Sequence, residues 1–414
     1  SHADQTNDRP LRRSTRSTRT ARPIDPSYWQ SIGYDRTTAM NMANFTHFVY
    51  ACQQKREFSA PFHHHGDRFV PFHEQLLPHW RIFMKTLEGE KDEGDNLSIS
   101  KVQMPRQVMQ MICPAIISMP GLYRLELEFN KLDHDGFASV AEILRHQLAL
   151  SILALPENEI ESVESARILS SAIAEHPSLE KLRLNDCGIG KNVEVLAALL
   201  HGCENIRLLD LRRNHIDSKG VNTLANFIAE NHEKVDTLDL EGNSLADDDV
   251  PPLVAAVKKN TNLTVLDVTE NDLTENGRVE MMKAVFDTTS VNTVVESNHD
   301  CRLVLSSSGN NHAGPMLFFL VMRDEVPFED IMQTVNGMHE PREAKIEYKV
   351  LQALHHTSDD EMVNVQYLND IPVKCMPRVL EIVQKKMDIG EHMLGIGAPF
   401  FIPARSWMTT PLDL

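Results

Sequence analysis

Leucine and other aliphatic residues recur along the middle of the chain in one frame, LxxLxLxxNxL, in which the intervening positions are mostly polar. Copies of this frame follow one another at intervals of 27 to 29 residues. They begin at Leu122, Leu150, Leu179, Ile206, Val235, Leu263 and Val291. The last copy, VNTVVESNHDC, has lost most of the pattern. A chance amphipathic segment has no reason to return at a fixed spacing, so the recurrence indicates a structural repeat.

Each copy predicts a short strand followed by a helix. The first, fourth and sixth places of the frame alternate with polar residues, as in a strand that buries one face. The second half of each unit has helical apolar spacing, shown in the fourth unit by Val221, Leu224, Ala225 and Ile228. One such unit cannot bury its apolar face alone. Neighbouring units must therefore stack, with strands on the inner curve and helices on the outer curve.

The ninth place of the frame is polar, and we expect its side chain to turn inward. There it would hydrogen-bond the backbone of the bend that leaves the strand, because a buried amide or carbonyl group would otherwise be unpaired. The predicted ladder consists of Asn130, Asn158, Cys187, Asn214, Asn243 and Asn271. In the degenerate last copy the same place is held by His299.

A unit of this length with a helix in every repeat resembles the ribonuclease-inhibitor-like class of leucine-rich repeats. That class includes the repeat domains of NOD-like receptors and of the activating proteins for the Ran GTPase. The resemblance covers residues 122–301 and implies an α/β solenoid shaped as a horseshoe. It implies parallel strands on the concave face, helices on the convex face and helical caps at the ends. It says little about function, since the same scaffold serves many partners.

Composition divides the chain into seven predicted segments. These are a disordered Arg/Ser/Thr-rich tail at 1–26, a region of unassigned topology at 27–88, an acidic linker at 89–96, an N-terminal cap at 97–121, the repeat array at 122–305, a helical C-terminal cap at 306–390 and a tail at 391–414. The C-terminal helices could instead form an independent partner-binding module. The Arg-rich stretch at 9–22 is either a targeting or phosphorylation-controlled element or a plain solvated tail.

The formal net charge is −18, and residues 122–301 account for most of it, with 32 acidic residues against 16 basic ones. Such a surface argues against nucleic-acid binding, because phosphate contacts depend on Lys and Arg. It favours a protein partner with a basic segment. No apolar run approaches the ~20 residues that cross a bilayer, so no membrane partner is expected. The six cysteines are scattered without a CxxC pair, which predicts reduced thiols in the cytoplasm or nucleus.

The concave face is where we expect the partner to bind. The fifth place of the frame points outward from this face, and neighbouring places add further charges. The predicted partner-binding residues are Glu126, Arg183, Asp210, Arg212, Arg213, Asp239, Glu241, Asp267 and Glu270. The three aspartates would hold a basic segment, and Arg212 and Arg213 would take an acidic group beside it. Alternatively, the aspartates are hydrated filler or are neutralised by neighbouring arginines such as Arg183 and Arg213.

The chain carries no recognisable catalytic motif, since it has no GxxxxGK[ST], GxSxG or HExxH sequence. We therefore predict no catalytic residues and no cofactor. His63, His64 and His65, with His73 and His79, could supply zinc ligands, but their spacing matches no zinc signature, and no metal is predicted. The predicted function is a protein-interaction scaffold. The alternative is a GTPase regulator that resembles the Ran-activating proteins.

Overall fold

Within the residues that the structure describes, eight three-residue strands alternate with helices. The computed structural model describes residues 21–55, 69–88, 96–230, 233–285, 287, 296–298 and 300–305. The strands are β1 Asn96–Ser98, β2 Arg124–Glu126, β3 Ile152–Ala154, β4 Lys181–Arg183, β5 Leu208–Asp210, β6 Thr237–Asp239, β7 Val265–Asp267 and β8 Arg302–Val304. The helices are α1 Pro26–Ser31, α2 Arg36–Lys55, α3 Leu77–Leu87, α4 Arg106–Ser118, α5 His134–His146, α6 Val163–Glu175, α7 Val193–Leu200, α8 Ser218–Glu230, α9 Val250–Lys259 and α10 Glu275–Met282.

The strands form one parallel sheet whose spatial order follows the chain from β1 to β8. The middle residue of every strand is a leucine, and the register aligns these leucines in a single row. The row consists of Leu97, Leu125, Leu153, Leu182, Leu209, Leu238, Leu266 and Leu303. Each of the eight is at most 4% exposed. The predicted α/β solenoid is therefore confirmed, with a continuous leucine core beneath the sheet.

The helices of the array present apolar stripes to this core, and several of them begin at a polar cap. In α5, Phe137, Val140 and Leu144 are buried, and the Asp133 carboxylate accepts a hydrogen bond from the Gly136 N–H at 2.8 Å. Such a cap satisfies an N–H group that has no partner within the helix. Burial of one leucine side chain stabilises the fold by about 1.5 to 3 kcal/mol. Because a three-residue strand forms few hydrogen bonds, this shared burial is what holds the units together.

Polar side chains at the ninth place of the frame tie the bends together. The Asn214 carbonyl oxygen accepts from the N–H groups of Cys187 at 2.9 Å and Ile189 at 3.3 Å. Its amide donates to the Leu184 carbonyl at 2.7 Å. The Cys187 thiol donates to the Leu155 carbonyl at 3.3 Å. The other asparagines that likewise accept from and donate to the backbone of the preceding unit are Asn130, Asn158, Asn243 and Asn271.

The bend itself requires left-handed backbone at the eighth place of the frame. The non-glycine residues there have φ between 51° and 57°, and they are Phe129, Glu157, Asp186, Arg213 and Glu270. Gly242 occupies the same place, and a Cβ atom on it would lie 2.9 Å from Arg213 Cγ. Each non-glycine residue in this conformation costs on the order of 1 kcal/mol, which the ladder hydrogen bonds and the core offset.

The N-terminal region continues the solenoid. Residues 97–121, predicted to be the cap, lie in register with the array as β1 and α4. Beyond them α3 packs on α4, and Val70 forms a parallel bridge with Val102. Trp29 and Trp80 join the same core as the repeats. The described residues of the region at 27–88 thus contribute helices α1 to α3 to the end of the array. Residues 89–95 of the predicted linker and the predicted C-terminal cap at 306–390 lie outside the described residues.

The frame predicted to begin at Val291 is wrong. The strand that pairs with β7 is β8, in which Leu303 takes the position next to Leu266. The Asn298 side chain accepts from the Cys301 N–H at 2.8 Å, as the Asn260 side chain accepts from the Leu263 N–H one unit earlier. The chain therefore carries extra residues before its last strand, and extending the earlier 28-residue spacing missed them. Val304 is the register neighbour of Asp267 on this last strand.

We predict that Asn214→Ala destabilises the protein far more than Cys187→Ala. Loss of Asn214 leaves two buried N–H groups without an acceptor, at a cost of about 2 to 4 kcal/mol. Loss of the weak thiol donor costs about 1 kcal/mol. Urea unfolding followed by far-ultraviolet circular dichroism would compare the midpoints of the two variants. Equal shifts would show that the ladder does not stabilise the array through its asparagines.

Candidate functional site

The side chains that line the concave face come from the third, fifth and seventh places of the frame, because alternate residues of a strand point to opposite faces. The strand register brings the fifth-place residues into one column across the sheet. Between β2 and β8 this column reads Glu126, Ala154, Arg183, Asp210, Asp239, Asp267 and Val304. Three aspartates therefore stand on consecutive strands, about 4.8 Å apart.

We use the name acidic strip for Asp210, Asp239, Glu241, Asp267 and Glu270. Within β5 to β7 and the residues that follow them, these five carboxylates face two guanidinium groups, those of Arg212 and Arg213. Carboxylates at such a separation repel one another even when water screens them partly. The strip thus carries surplus negative charge.

Arg212 neutralises the deepest member of the strip. The Asp210 side chain is 4% exposed, and it accepts two hydrogen bonds from Arg212, at 3.0 Å from Nε and 2.8 Å from Nη2. This two-point geometry is the strongest form of arginine–carboxylate contact. Nε also lies 3.3 Å from Asp239 Oδ2. The hydrogen bonds to Asp210, followed by the charges of Asp210, Asp239 and Glu241, raise the pKa of Arg212.

The pKa of Asp239 is shifted by its burial and by the charges around it. The pKa of Asp239 is raised to about 6, mainly by burial and also by the charges of Asp210 and Asp267. The Glu241 N–H and Arg212 oppose this rise. One guanidinium group is therefore too little to keep Asp239 at the pKa of an ordinary aspartate.

The other carboxylates of the acidic strip are less fully neutralised by arginine side chains. Asp267 Oδ1 accepts from the N–H and the hydroxyl of Thr269, at 2.9 and 2.7 Å, and within the described ranges it forms no ion pair. Glu241 lies 3.8 Å from Arg212 and 3.8 Å from Arg213. Arg213 is itself 58% exposed and Glu270 is exposed. These groups are open to a partner.

Two of the predicted residues make no ion pair with the acidic strip within the described part of the chain. Glu126 pairs with Arg124 at 2.8 Å on β2, three strands away from Asp210. Arg183 is the register neighbour of Asp210, but among the described residues it forms no ion pair. The frame analysis missed Lys181, which lies on the same concave face at the third place of its unit. A reading of the third place together with the fifth would have found it.

The described residues show no helix that is long and apolar enough to cross a membrane. In that part of the chain, no three side chains of His, Cys, Asp or Glu are grouped so that they could hold a metal ion. His63, His64 and His65 lie outside the described residues. The acidic column is thus spread along the sheet and does not converge on one point.

Comparison with known proteins assigns the array. A family model described as "Leucine Rich repeat" matches residues 202–225 and 259–282. The chain contains a leucine-rich-repeat array and is similar in sequence to proteins that combine such repeats with NACHT and PYD domains. It is 25% identical over 192 residues to "NACHT, LRR and PYD domains-containing protein 5" of Mus musculus, a match that covers 46% of this chain and 16% of that protein. It is 29% identical over 196 residues to "NACHT, LRR and PYD domains-containing protein 13" of Homo sapiens, covering 47% of this chain and 19% of the relative.

The matched stretch thus spans less than a fifth of those relatives. What the likeness carries over is the repeat type, and a leucine-rich-repeat array of this type is a protein-interaction or recognition module. Its strands present an extended concave surface to other molecules.

We predict that Asp239→Asn stabilises the protein by about 1 to 2 kcal/mol at pH 7, given ~1.4 kcal/mol for each unit by which a pKa shifts. The folded state holds the Asp239 proton more tightly than the unfolded state, so the stability that the wild type gains from protonation is present below pH 4 and is lost as pH rises through 6. The advantage of the variant should therefore shrink as pH falls from 6 to 4. Urea unfolding across this range would measure it.

Asp248→Asn is the matched control for this prediction, because it removes the same charge from an exposed side chain of the same unit. It should leave stability nearly unchanged at every pH. A similar gain in both variants would attribute the effect to net charge and not to the crowded strip.

Proposed function

We propose that the concave sheet of this leucine-rich-repeat protein binds a basic segment of a protein partner. Asp239, Glu241 and Asp267 would be the main receiving carboxylates. The observation that carries the proposal is the surplus of carboxylates over guanidinium groups in the acidic strip. A partner's Lys or Arg would relieve their repulsion and gain a charge-assisted hydrogen bond.

We assign finer roles to the residues predicted from the sequence. Asp210 is almost fully buried and bound by Arg212, so it orients Arg212 and does not meet the partner itself. Arg212 is correspondingly engaged within the chain and is not available to take a partner's acidic group, whereas Arg213 is exposed beside it. Glu270 would contact the partner at the rim. Glu126 lies outside the contact, because β3 and β4 separate it from the strip.

An intracellular location is part of the proposal. The described cysteines are all buried, namely Cys52, Cys113, Cys187, Cys203 and Cys301. Burial raises the pKa of Cys187 and of Cys203 to about 12, so these thiols are poor nucleophiles and suit a reducing compartment. The alternative function, regulation of a small GTPase, is favoured by no observation on the described residues. A GTP hydrolysis assay with purified small GTPases would test it directly.

We predict that Asp239→Asn with Asp267→Asn weakens binding of a basic peptide at least fivefold. The probe is a fluorescein-labelled octapeptide of alternating Lys and Gly, titrated against the full chain and followed by fluorescence anisotropy at low salt. The loss should diminish at high salt, because ions screen exposed charges.

The control for this experiment is the double variant Glu164→Gln with Asp248→Asn, which removes the same net charge from exposed positions outside the strip. It should bind the peptide within twofold of the wild type. An equal loss in both double variants would mean that net charge attracts the peptide and that the acidic strip is not the site.

Binding of the same peptide should also depend on pH. A cation held beside Asp239 favours its ionised form, so the bound state has a lower pKa for Asp239 than the free state, where it is about 6. Affinity should therefore rise between pH 5 and pH 7. In Asp239→Asn this rise should be smaller. An identical pH dependence in wild type and variant would contradict direct contact with Asp239.

A further inference from the structure

The concave sheet also carries a cationic pair, defined as Lys181 and Arg183 of β4. We infer that the partner is an extended segment of opposite charges, whose acidic side chain binds the cationic pair while its basic side chain binds Asp239 and Asp267. This inference rests on the proposed function and names the kind of segment that the acidic strip would take.

Neither member of the cationic pair has a carboxylate partner among the described residues, because Arg212 already binds the nearest carboxylate. Lys181 and Arg183 are both partly exposed on the concave face, and neither forms an ion pair with any described residue. Arg183 is the register neighbour of Asp210, the one carboxylate beside it in the column. Arg212 already binds both oxygens of that carboxylate. The cations are therefore free to take an acid from outside the chain.

The surroundings of the cationic pair strengthen such a contact. In the register Lys181 lies between Ile152 of β3 and Leu208 of β5, both partly exposed. Arg183 lies beside Ala154, which is 1% exposed because neighbouring atoms cover it. Apolar neighbours lower the local dielectric, and an ion pair formed there is stronger than one in open water. The zone suits a glutamate or aspartate that has an aliphatic residue next to it.

The distance between the cationic pair and the acidic strip sets the spacing of the partner's charges. Arg183 and Asp267 are three strands apart, or roughly 14 Å at 4.8 Å for each strand. In an extended peptide, residues i and i+4 point to the same side and lie about 13 Å apart. A helical partner would need about nine residues to cover the same distance, at ~1.5 Å for each residue. We therefore expect the acid and the base four residues apart.

The cationic pair would also reject some partners. A segment that is basic throughout would gain contacts at the acidic strip but would meet Lys181 and Arg183 two or three strands further along. Like charges placed opposite each other cost affinity and so discriminate between partners. The two zones together would fix the direction in which a segment crosses the sheet.

The test is selection of a displayed library of random dodecapeptides on the immobilised full chain. Parallel selections use Lys181→Glu with Arg183→Glu, and Asp239→Asn with Asp267→Asn. On the wild type we expect enriched peptides with an acid and a base four residues apart in a constant order. On the first variant the acid should disappear and the base should remain. A selected peptide should bind that variant at least tenfold more weakly, and replacing its acid by Lys should restore the affinity.

The outcomes separate the two proposals. Enrichment of basic peptides without a spaced acid, alike on the wild type and on the Glu variant, would overturn this inference and leave the proposed function standing. A spacing near nine residues would show a helical partner and overturn the extended one. Failure to enrich basic residues on the wild type, or equal enrichment on the Asn variant, would overturn the proposed function itself. Circular dichroism would show that both variants keep the fold.

Discussion

Burial of one leucine row beneath eight very short strands is the constraint on which the whole structure depends. No unit has enough apolar surface to stand alone, so each strand is stable only between its neighbours. The register that aligns Leu97 through Leu303 fixes every other position of the frame as well. The asparagines of the ladder, such as Asn214, follow from this, because each bend must satisfy backbone groups that the core has removed from water.

The same register produces the electrostatic character of the concave face. Once the leucines are stacked, residues at any other place are also stacked, one on each strand. Three aspartates at the fifth place are therefore forced together, although each would be unremarkable on a separate surface. Arg212 offsets part of the repulsion by binding Asp210 and approaching Asp239. Burial, together with the charges of Asp210 and Asp267, still raises the pKa of Asp239. The array thus gives up some stability at the position where we propose that a partner binds.

Much of the fold could be predicted because the repeat is periodic, and the rest could not because it breaks the period. The frame placed six of the eight core leucines and gave the parallel order of the strands. It failed at β8, where extra residues before Cys301 shift the strand away from the expected place. The helices α1 to α3 have no repeat to compare, so the packing of α1 on α2, of α2 on α3 and of α3 on α4 had no signal in the sequence. In the candidate site the column of aspartates followed from the frame, but the direction of the Arg212 side chain did not. Asp210 and Asp239 both lie within reach of this side chain, and Arg212 binds the more buried of the two, Asp210.

Charge along the array therefore has to be considered strand by strand and not as a total. An array with surplus negative charge attracts any basic partner, yet that attraction alone gives little discrimination. Specificity needs a group that favours one partner and penalises another. On β4 the cationic pair stands next to the column of aspartates, but it is separated from their charge because Arg212 already occupies Asp210. Arg212, which the sequence predicted to bind an acidic group of the partner, binds Asp210 and so separates the cationic pair from the exposed carboxylates. This separation is what would let a single segment be held in one orientation.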